Sequence, residues 1–511
     1  MLLALSHQIG EIDQYAENEL GISIIELMHR SGEAVERAIR ERVKPGSKVV
    51  FLAGKGNNGG DGYAAAWLLS RDYEVTVFDV FAKGQRTECG QYYLNKYKET
   101  GSSLVDYTSD DSQDAIISSA DCVVDAIFGT GFVGNAPEQI KRLSRVVNET
   151  MGAVKIAIDV PIGINADTGA VDTNLACRMN ATVVLSFIKP GLVSFPAKPY
   201  VGEILYETLG LPREKIEERF NFNYIYVDEK FARSILPKRE ENSNKSSFGR
   251  LLVITGSDRF PGAAHLSLEG ALRGGVGYVQ FAGAKSLVDG LCQKMPEALY
   301  QRIDDIENID DQGIEMLKSL SAKASATLIG SGSDCSSGLL RLTRALLSMP
   351  GGPLVIDADA INVLAENREE SLKLIRDSKR VVILTPHPLE FSRLCGTDVA
   401  DIQLHRIDAA KKFAAEHKCV LVLKGAGTII TDGKTVYINS SGSSALAKAG
   451  SGDVLSGFLS AMVAQGVEPI LASSIAVFFH AYAADTLART YSAFGVIPSD
   501  LPRQIAASLN E

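Results

Sequence analysis

The sequence has no closely spaced cysteines. Its seven cysteines are scattered along 511 residues, and the closest pair is Cys395 and Cys419, so no C-x-x-C motif occurs. The seven histidines form no H-E-x-x-H motif, which leaves no recognisable zinc or dithiol redox centre. An odd number of cysteines, mostly within apolar runs, is typical of reduced thiols in a cytoplasmic protein.

Basic residues are scarce relative to acidic ones. The chain has 52 Lys and Arg against 62 Asp and Glu, a net charge of −10, and no run of five basic residues. Such a chain is a poor partner for nucleic acids or anionic membranes. Its first residues lack the basic segment of a secretory signal, and no apolar stretch reaches the roughly 18 residues of a membrane span. The sequence therefore predicts a soluble cytoplasmic protein that acts on small molecules, without a nucleic-acid or membrane partner.

Short apolar runs alternate with helical patterns throughout the chain. Runs rich in Val, Ile and Leu, which predict buried parallel strands, occupy 48–54, 74–81, 121–129, 154–161 and 181–187. The rhythm restarts with runs at 250–257, 277–283, 326–332, 353–359, 380–386, 419–425 and 428–433. A long Ala-rich helical stretch is predicted from Gly452 to about Arg489. This order of elements predicts an α/β fold.

A charged and polar segment at 212–247 separates the two series of strands. We place a domain boundary near 222 and a mobile loop at 237–247. The two predicted domains, 1–222 and 223–511, are each long enough to bury a core of their own.

A glycine loop follows the first predicted strand. Gly54-x-Gly56-x-x-Gly59 matches a dinucleotide-binding fingerprint, and Asp79 ends the next strand, where an acid would bind a ribose. Glycines let the backbone approach a phosphate, and a helix predicted from Tyr63 would add backbone N–H groups. The alternative is a tight turn without a ligand. The polar and glycine residues of this loop favour a ligand, because such a run is costly to order without one.

Two further strands end in carboxylates. Asp125 ends the strand at 121–129, and Asp159 ends the strand at 154–161. In an open α/β sheet the carboxyl ends of the strands line the ligand crevice, so both are candidate site residues. The loop 129–135, GTGFVGN, is a second glycine loop suited to a phosphate.

The strongest single motif is LAKAGSGDVLSG at 446–457. Gly450, Ser451 and Gly452 would offer backbone N–H groups to an anion where an apolar helix begins. Asp453 lies in its first turn, where it could take a proton from a hydroxyl as a phosphoryl group arrives. The alternative is that Asp453 only caps the helix. Because no Walker lysine is present, the motif is not a P-loop.

Residues from about 5 to 215 resemble the NAD(P)H-hydrate epimerase domain of the bifunctional NAD(P)H-hydrate repair enzymes, through AGKGNNGGDGYAAAWLL, VVDAIFGTG and IDVPIGINADTG. The resemblance implies a Rossmann-like three-layer domain that binds a hydrated nicotinamide nucleotide. The residues implied to hold it are Asn57, Asn58, Gly59, Gly60, Asp61, Gly129, Thr130, Gly131, Phe132, Val133, Gly134, Asn135 and Asp159. Asn58 and Asp125 are implied to bind potassium, but the serine of the family's D-V-P-S-G pattern is replaced here by Ile162, which has no hydroxyl.

Residues from about 225 to 508 resemble the ADP/ATP-dependent NAD(P)H-hydrate dehydratase, a ribokinase-like α/β domain, through FGRLLVITGS, VIDADAINVL, LTPHPLEF, VLKGAGTII and AKAGSGDVLSG. The resemblance implies that the hydrated nucleotide contacts Ala263, Gly332, His387 and Asp453. It implies that ADP or ATP contacts Lys424, Gly425, Ala426, Gly427, Thr428 and Gly452, with magnesium. Two motifs depart from the family: Gly330-Ser331-Gly332-Ser333-Asp334 replaces G-P-G-L-G, and His387-Pro388-Leu389-Glu390 replaces H-P-G-E.

We therefore expect a two-domain enzyme, assembled as a homo-oligomer, that repairs hydrated NADH and NADPH. The first domain would interconvert the R and S forms, with Asp159 or Asp125 as the acid or base. The second would dehydrate the S form at the expense of ADP or ATP, with Asp453 as the base. The expected metal ions are potassium and magnesium.

Three alternatives remain open at the level of sequence. The second domain could be a small-alcohol kinase, because a GSGD motif alone fits one equally well. The first could belong to an oxidoreductase built on the Gly54 loop and Asp79. It could also be a non-catalytic nucleotide-sensing or protein-binding module.

Overall fold

The computed structural model describes residues 1–131, 136–303 and 305–510. It forms two compact units, Leu2–Tyr224 and Ile225–Glu511, which divide close to the predicted boundary at 222. Each unit is built on a largely parallel sheet whose strands alternate with helices along the chain. The predicted α/β class is therefore confirmed.

The sheet of the N-terminal unit is parallel and follows the strand order β4-β3-β2-β5-β6-β7-β8. The strands of this unit are β1 Leu2–Leu3, β2 Lys48–Ala53, β3 Glu74–Asp79, β4 Ser103–Asp106, β5 Cys122–Ala126, β6 Val154–Ile158, β7 Ala181–Leu185 and β8 Glu203–Glu207. Its helices are α1 Ser6–Asn18, α2 Ile24–Arg40, α3 Asn57–Leu69, α4 Glu88–Glu99, α5 Asp111–Ser118, α6 Glu138–Glu149, α7 Pro190–Val193, α8 Lys198–Val201 and α9 Arg213–Arg219.

Helices cover both faces of this sheet. Along β2, Phe51 belongs to an apolar cluster that includes Met28 of α2 and Ala64 of α3, whereas the next residue, Leu52, belongs to a cluster that includes Leu143 of α6. Because successive side chains of a strand point to opposite faces, the two clusters lie on opposite sides of the sheet. The N-terminal unit is thus a three-layer sandwich, and the strand ends between the layers are free to form a site.

The sheet of the C-terminal unit follows the order β9-β18-β17-β16-β15-β14-β13-β10-β11-β12, with antiparallel pairing only around β17 among the described residues whose register is known. Its strands are β9 Tyr224–Val227, β10 Arg250–Ile254, β11 Tyr278–Ala284, β12 Leu299–Ile303, β13 Ala326–Ile329, β14 Leu354–Ile356, β15 Val382–Leu384, β16 Val420–Leu423, β17 Ile429–Thr431 and β18 Val436–Asn439. Its helices are α10 Glu229–Ser234, α11 Pro261–Arg273, α12 Lys285–Lys294, α13 Asp311–Lys323, α14 Ser337–Leu347, α15 Asp359–Glu366, α16 Arg368–Asp377, α17 Pro388–Cys395, α18 Val399–Leu404, α19 Arg406–His417, α20 Ser451–Ala464, α21 Pro469–Gly495 and α22 Leu501–Ser508, with short 3₁₀ turns at Lys245–Phe248, Ser444–Leu446 and Pro498–Asp500.

Two helices differ from the sequence-based expectation. The helix predicted from Tyr63 already begins at Asn57, so the NNGGDG residues form its first turns instead of a loop. The helix predicted from Gly452 to Arg489 is two helices, because Gly466 adopts a φ of +85° and Pro469 starts the second one. Proline is favoured in the first turn of a helix, whereas it breaks a helix interior.

Helix α21 corrects the expectation that no apolar stretch reaches the length of a membrane span. By length and composition it could cross a bilayer, but 72% of its apolar 18-residue stretch is buried inside the protein. Its apolar side chains, such as Phe478 and Phe479, are almost fully covered. A core helix passes the same test of length and composition, and α21 has the burial of one.

Each unit carries its own sheet and core, so each should fold alone. We expect a polypeptide of residues 1–224 and one of residues 225–511 both to give far-ultraviolet circular dichroism typical of α/β proteins and a cooperative thermal transition. Aggregation of both, with a single cooperative transition seen only in the whole chain, would show that the division is wrong.

Candidate active sites

The turn between β2 and α3 is built from glycines that the backbone itself requires. A Cβ on Gly54 would lie 1.9 Å from the carbonyl oxygen of Ile127, and a Cβ on Gly59 would lie 2.0 Å from that of Gly54. Gly56, in contrast, has open space around it. Two of the three fingerprint glycines are therefore needed for packing, and the third leaves room beside the start of the helix.

A cavity of about 580 Å³ opens at this turn, a volume typical of small-molecule sites. Of the residues implied to hold the nucleotide, those that line it are Asn57, Asn58, Asp61, Gly129, Thr130, Gly131 and Asp159. Gly59 and Gly60 lie in the same turn of α3 but do not line it, and Phe132, Val133, Gly134 and Asn135 lie outside the described residues. The first unit thus brings together residues from both predicted glycine loops and one strand end.

Asp159 is held at the cavity by a buried lysine. Its backbone adopts a φ of +65°, which is unusual for a residue other than glycine. Its carboxylate accepts hydrogen bonds from the ammonium of Lys189 and, at 3.3 Å, from the N–H of Leu185. Lys189 has no exposed surface and also donates to the carbonyl of Leu185 at 3.1 Å. This ion pair fixes the carboxylate of Asp159 at the end of β6.

Two more carboxyl groups line the same cavity. Burial raises the pKa of Asp61 well above its usual value, and the nearby carboxylates of Asp159 and Asp13 add to this effect. Burial also raises the pKa of Asp13 to about 6; the ammonium of Lys189 opposes this rise, and Asp159 adds to it. Burial and the neighbouring negative charges therefore favour the neutral form of the Asp61 carboxyl.

Asp125 does not line the cavity. Its carboxylate accepts hydrogen bonds from the N–H of Ile127 at 3.1 Å and of Ile162 at 2.8 Å. Burial raises the pKa of Asp125 to about 6, although these two hydrogen bonds oppose the rise. The candidacy of Asp125 as the epimerase acid or base therefore has no geometric support, because both of its oxygens are already engaged by the backbone.

The implied potassium ligands fit a cation unequally. The side-chain amide of Asn58 donates to the carbonyl of Phe128 at 2.9 Å, while its buried Oδ1 accepts no hydrogen bond from any described residue. The side chain of Ile162 is 2% exposed and belongs to the apolar cluster that also contains Leu175. An unpartnered buried oxygen suits a hard cation, whereas the side chain of Ile162 offers no ligand.

Asp79, the acid of the oxidoreductase alternative, is already engaged. Its carboxylate pairs with the guanidinium of Arg86 and accepts the N–H of Phe81 at 3.2 Å. A ribose-binding carboxylate must accept hydroxyl protons, and a buried pair with arginine competes with that role. The geometry therefore does not favour that alternative.

In the C-terminal unit, close packing of helices sets the position of Asp453. A Cβ on Gly270 of α11 would lie 2.5 Å from the carbonyl oxygen of Val454, and a Cβ on Gly457 of α20 would lie 2.0 Å from that of Ser267. The cap of α20 is Gly450, at a φ of +97°, and no side chain caps the helix. Asp453 lies in the first turn without a capping hydrogen bond, which contradicts the reading of this residue as a simple helix cap.

The ammonium of Lys424 lies among several carboxyl groups. It is 2.9 Å from Oδ1 of Asp357 and 3.9 Å from Oε2 of Glu390. A Cβ on Gly452 would lie 3.6 Å from the same nitrogen, so the ammonium also reaches the first turn of α20. Burial lowers the pKa of Lys424, but Asp357 and Glu390 outweigh it and the net shift is upward. Lys424 is therefore charged, and it connects β14, α17 and α20.

The carboxyl groups around Lys424 differ in the direction in which their pKa values are shifted. Asp357 is fully buried, yet the pKa of its carboxyl is lowered, because Lys424 and the hydroxyls of Thr385 and Ser331 outweigh the cost of burial. Burial raises the pKa of Asp453 to about 7, with Asp357 adding to the rise and Lys424 opposing it. A carboxyl that changes charge near neutral pH is suited to accept and release a proton.

His387 caps the helix that carries Glu390. Its Nδ1 accepts the N–H groups of Leu389 and Glu390, both at 3.2 Å, and its Nε2 lies 3.2 Å from Oε1 of Glu390. Burial lowers the pKa of His387, and the charge of Lys424 lowers it further. A neutral ring with a proton on Nε2 fits these contacts. Leu389, the departure from H-P-G-E, is 47% exposed, so its added bulk is turned to solvent.

The glycine loop after β13 lies against α11. A Cβ on Gly332, which has a φ of +61°, would lie 2.5 Å from the Cβ of Ala263, so these two predicted residues are direct neighbours. Ser331, where the family has proline, donates its hydroxyl to Oδ2 of Asp357 at 2.9 Å. Asp334 replaces a family glycine and adopts a φ of +56°. The first departure adds a hydrogen bond to the buried aspartate, and the second retains a glycine-like backbone.

The loop 424–428 joins the same site through Lys424. Gly425 and Gly427 adopt φ values of +131° and +60°, and the hydroxyl of Thr428 donates to the carbonyl of Gly425 at 3.0 Å. The buried guanidinium of Arg406 donates to the carbonyls of Leu423 and Lys424, both at 3.2 Å. The loop is therefore fixed at its start, while Gly425 and Ala426 remain exposed.

Sequence reasoning missed several residues of both sites. In the first unit these are Asp13, Lys189 and the cavity-lining aromatic residues Phe81 and Phe128; in the second they are Asp357, Glu390 and Arg406. A detectable signal existed for Lys189, which interrupts the apolar run SFIKPGLV. Lysine is almost never fully buried unless it is paired, so its position there indicates a buried partner.

The fold and the two sites define a two-domain α/β enzyme, with a cavity at a glycine turn in one unit and a helix start without a side-chain cap beside a charged lysine in the other. A family model described as NAD(P)H-hydrate dehydratase matches residues 251–507, and one described as YjeF-related protein N-terminus matches residues 24–191. The chain belongs to the family of bifunctional NAD(P)H-hydrate repair enzymes, as the resemblance predicted.

Relatives and solved structures agree with this assignment. The bifunctional NAD(P)H-hydrate repair enzyme of Moorella thermoacetica is 32% identical over 98% of this chain and 95% of its own. The one from Coxiella burnetii is 32% identical over 98% of each. The ADP/ATP-dependent NAD(P)H-hydrate dehydratase from Bacillus subtilis, co-crystallised with ATP and Mg²⁺, is 30% identical with a TM-score of 0.50, covering 56% of this chain and 98% of that one. The ribokinase-like fold of the second unit is thereby confirmed.

The raised pKa of Asp453 has a consequence for stability. Its folded pKa of about 7 lies above the usual 3.8, so the folded state holds the proton more tightly and stability is lost as pH rises between these values. Asparagine stays neutral. We therefore expect Asp453→Asn to increase the free energy of unfolding more at about pH 8 than at about pH 5.5, by roughly 1–3 kcal/mol.

The measurement is denaturant unfolding of the two proteins at both pH values. Asp401→Asn is the matched control, because Asp401 also lies in the first turn of a helix but is exposed. A gain for Asp453→Asn that is equal at both pH values would contradict the raised pKa.

Proposed function

We propose that the C-terminal unit dehydrates the S form of hydrated NADH and NADPH with ADP or ATP, and that the N-terminal unit interconverts the R and S forms. Family membership supports both activities. The residue assignment rests on the carboxyl of Asp453, which lies in the first turn of α20 beside the charged Lys424 and makes no capping hydrogen bond. A phosphoryl group held at this helix terminus would meet a proton acceptor on the same turn.

The proposed reaction in the C-terminal unit has two stages. Asp453 takes the proton of the substrate hydroxyl, and the freed oxygen attacks the terminal phosphorus of the nucleotide. The bond from that phosphorus to the bridging oxygen breaks, and the nucleotide leaves one phosphate shorter. The backbone N–H groups at the start of α20 and the ammonium of Lys424 stabilise the charge of the transferring group. Phosphate then leaves with the electron pair of the carbon–oxygen bond, the neighbouring carbon loses a proton to water, and the electron pair of that carbon–hydrogen bond forms the double bond. The double bond is restored because phosphate is a far better leaving group than hydroxide.

Magnesium fits this site as a companion of the nucleotide. Among the described residues, no three His, Cys, Asp or Glu side chains are placed to hold a metal ion. Magnesium commonly binds through one or two carboxylates together with substrate phosphates, and Asp357, Glu390 and Asp453 are the carboxyl groups around Lys424 that could contribute. Bound there, magnesium would screen the charge of the phosphates.

The base assignment is tested by Asp453→Asn. Because asparagine keeps the size but cannot accept the proton, we expect the dehydration rate to fall at least about 100-fold, the lower range for loss of a general base. Epimerisation should not change, because it belongs to the other unit. The readout is recovery of reduced nicotinamide from the S form with ATP, and Asp401→Asn serves as control. A near-normal rate in Asp453→Asn would refute the role.

We further propose that potassium binds beside the N-terminal cavity through Oδ1 of Asn58. Asp125, which the family uses in the same site, lies where β5 ends, but its oxygens accept two backbone N–H groups. The loss of the serine hydroxyl at Ile162 removes one hard ligand, and hard cations require several. The proposed potassium dependence of this chain is therefore weak.

Ile162→Ser tests the potassium proposal. We expect this variant to show stronger stimulation of epimerisation by potassium, since it regains a hydroxyl next to Asp125. Ile162→Val is the matched control, because it also reduces the volume of a buried side chain but adds no oxygen. Potassium titrations of the three proteins give the comparison, and superimposable curves for wild type and Ile162→Ser would contradict the proposal.

Assembly into a homo-oligomer and a cytoplasmic location are part of this proposal. The seven cysteines are all free, which supports a reducing compartment. The small-alcohol kinase alternative gains no support beyond the shared fold, because the whole-chain relatives are repair enzymes.

A further inference from the structure

The N-terminal cavity contains a lysine whose burial needs an explanation. Lys189 has no exposed surface, and burying an ammonium is costly unless it is paired. It directly precedes α7, and its ammonium donates to the carboxylate of Asp159 and to the carbonyl of Leu185. Both partners lie at the ends of neighbouring strands, β6 and β7. The positive charge of Lys189 is therefore paired with the carboxylate of Asp159 at the wall of the cavity.

These contacts leave one specific atom of Asp159 available. Its Oδ1 accepts both the ammonium of Lys189 and the N–H of Leu185, whereas Oδ2 accepts no hydrogen bond from any described residue. The positive φ of Asp159 ends the extended conformation of β6, and the side chain lines the cavity. A carboxylate anchored through one oxygen can accept a proton through the other.

The cavity also contains a second carboxyl in a different electrostatic environment. Asp61, on α3, is buried; the hydroxyl of Ser31 on α2 lies near it and donates to the carbonyl of Leu27, and the charged groups around Asp61 are Asp159, Asp13 and Lys189. Burial first, and then the two aspartates, raise the pKa of Asp61, which favours its protonated form. Lys55 also lines the cavity. Two carboxyl groups with different environments are the arrangement by which one site supplies both an acid and a base.

We propose that Lys189 is a positioning residue for proton transfer at Asp159, and that Asp61 is the second proton-transfer group of the epimerase site. This inference rests on the epimerase function proposed above. It replaces Asp125, whose oxygens are engaged by backbone N–H groups, and it assigns different roles to the two aspartates that line the cavity.

The proton balance of epimerisation closes with these two groups. Oδ2 of Asp159 takes the proton of the substrate hydroxyl. The electron pair of the former oxygen–hydrogen bond then forms a carbonyl, and the bond from the hydrated carbon to the ring nitrogen breaks. The nitrogen keeps that electron pair and takes the proton of Asp61. After rotation of the opened chain, the nitrogen attacks the other face of the carbonyl. It returns its proton to Asp61, and the oxygen recovers its proton from Asp159, so no other reactant is consumed.

The test compares three variants of the whole chain with wild type over a pH range. Lys189→Met keeps much of the side-chain volume but removes the charge, Lys189→Arg keeps the charge, and Asp61→Asn removes the transferable proton. Epimerisation is measured from the R form. Dehydration of the S form by the other unit, together with circular dichroism, reports the integrity of the chain.

We expect wild-type epimerisation to rise and then fall with pH. Loss of the ammonium should move the acidic limb of the Lys189→Met profile to higher pH by about 1–3 units, as expected when a carboxylate loses an adjacent cation. The rate near neutral pH should fall at least about tenfold and recover in alkali, with KM little changed. Lys189→Arg should retain the wild-type acidic limb. Asp61→Asn should lose at least about 100-fold in rate.

The outcomes separate this inference from the function on which it rests. If wild type does not interconvert the epimers faster than buffer alone, the proposed function is wrong. If wild type is active but Lys189→Met keeps the wild-type acidic limb, the positioning role is wrong. Should Lys189→Met fail to fold, the other measurements decide: a wild-type profile without an alkaline limb, or a near-normal rate in Asp61→Asn, overturns the inference.

Discussion

The dehydratase site depends on one buried charge, the ammonium of Lys424. Without it, Asp357, Glu390 and Asp453 would place carboxyl groups of like charge in a space with little water. With it, Asp357 stays ionised, while burial raises the pKa of both Glu390 and Asp453 to about 7. The charge of Lys424 therefore stabilises the ionised form of the buried Asp357. It leaves Asp453 basic enough to act as a proton acceptor.

The N-terminal unit uses the same principle with different geometry. There Lys189 anchors Asp159, and burial raises the pKa of Asp61. Both units place these groups where parallel strands end, because the sheet brings the ends of distant segments to one edge. The two sites differ in the surroundings of the lysine: Lys424 lies beside the start of α20 and next to several carboxyl groups, whereas Lys189 pairs with Asp159 at the wall of a cavity that the start of α3 also lines.

The sequence predicted the parts of both sites that depend on local pattern. Strand-end carboxylates such as Asp159 and the motif around Asp453 are visible because a turn or a helix start follows directly. Lys189 and Asp13 were missed because they reach the cavity from elements far away in the chain, and only the packing of the layers brings them there. The role of Asp125 stays a prediction; its hydrogen bond from the N–H of Ile162 could not be foreseen, because it depends on the conformation of the next strand end. The edge strands β4, β8 and β12 were missed since they are partly exposed and lack continuous apolar runs.

The most direct test of the account follows the absorbance of reduced nicotinamide after the whole chain is mixed separately with the R and S forms of hydrated NADH. The account predicts recovery from the S form only when ADP or ATP is present, and recovery from the R form as well, because the N-terminal unit feeds the C-terminal one. Recovery restricted to the S form, beyond the spontaneous rate from R, would contradict the epimerase half. Accumulation of a stable phosphorylated product without reduced nicotinamide would contradict the dehydratase half and favour a kinase.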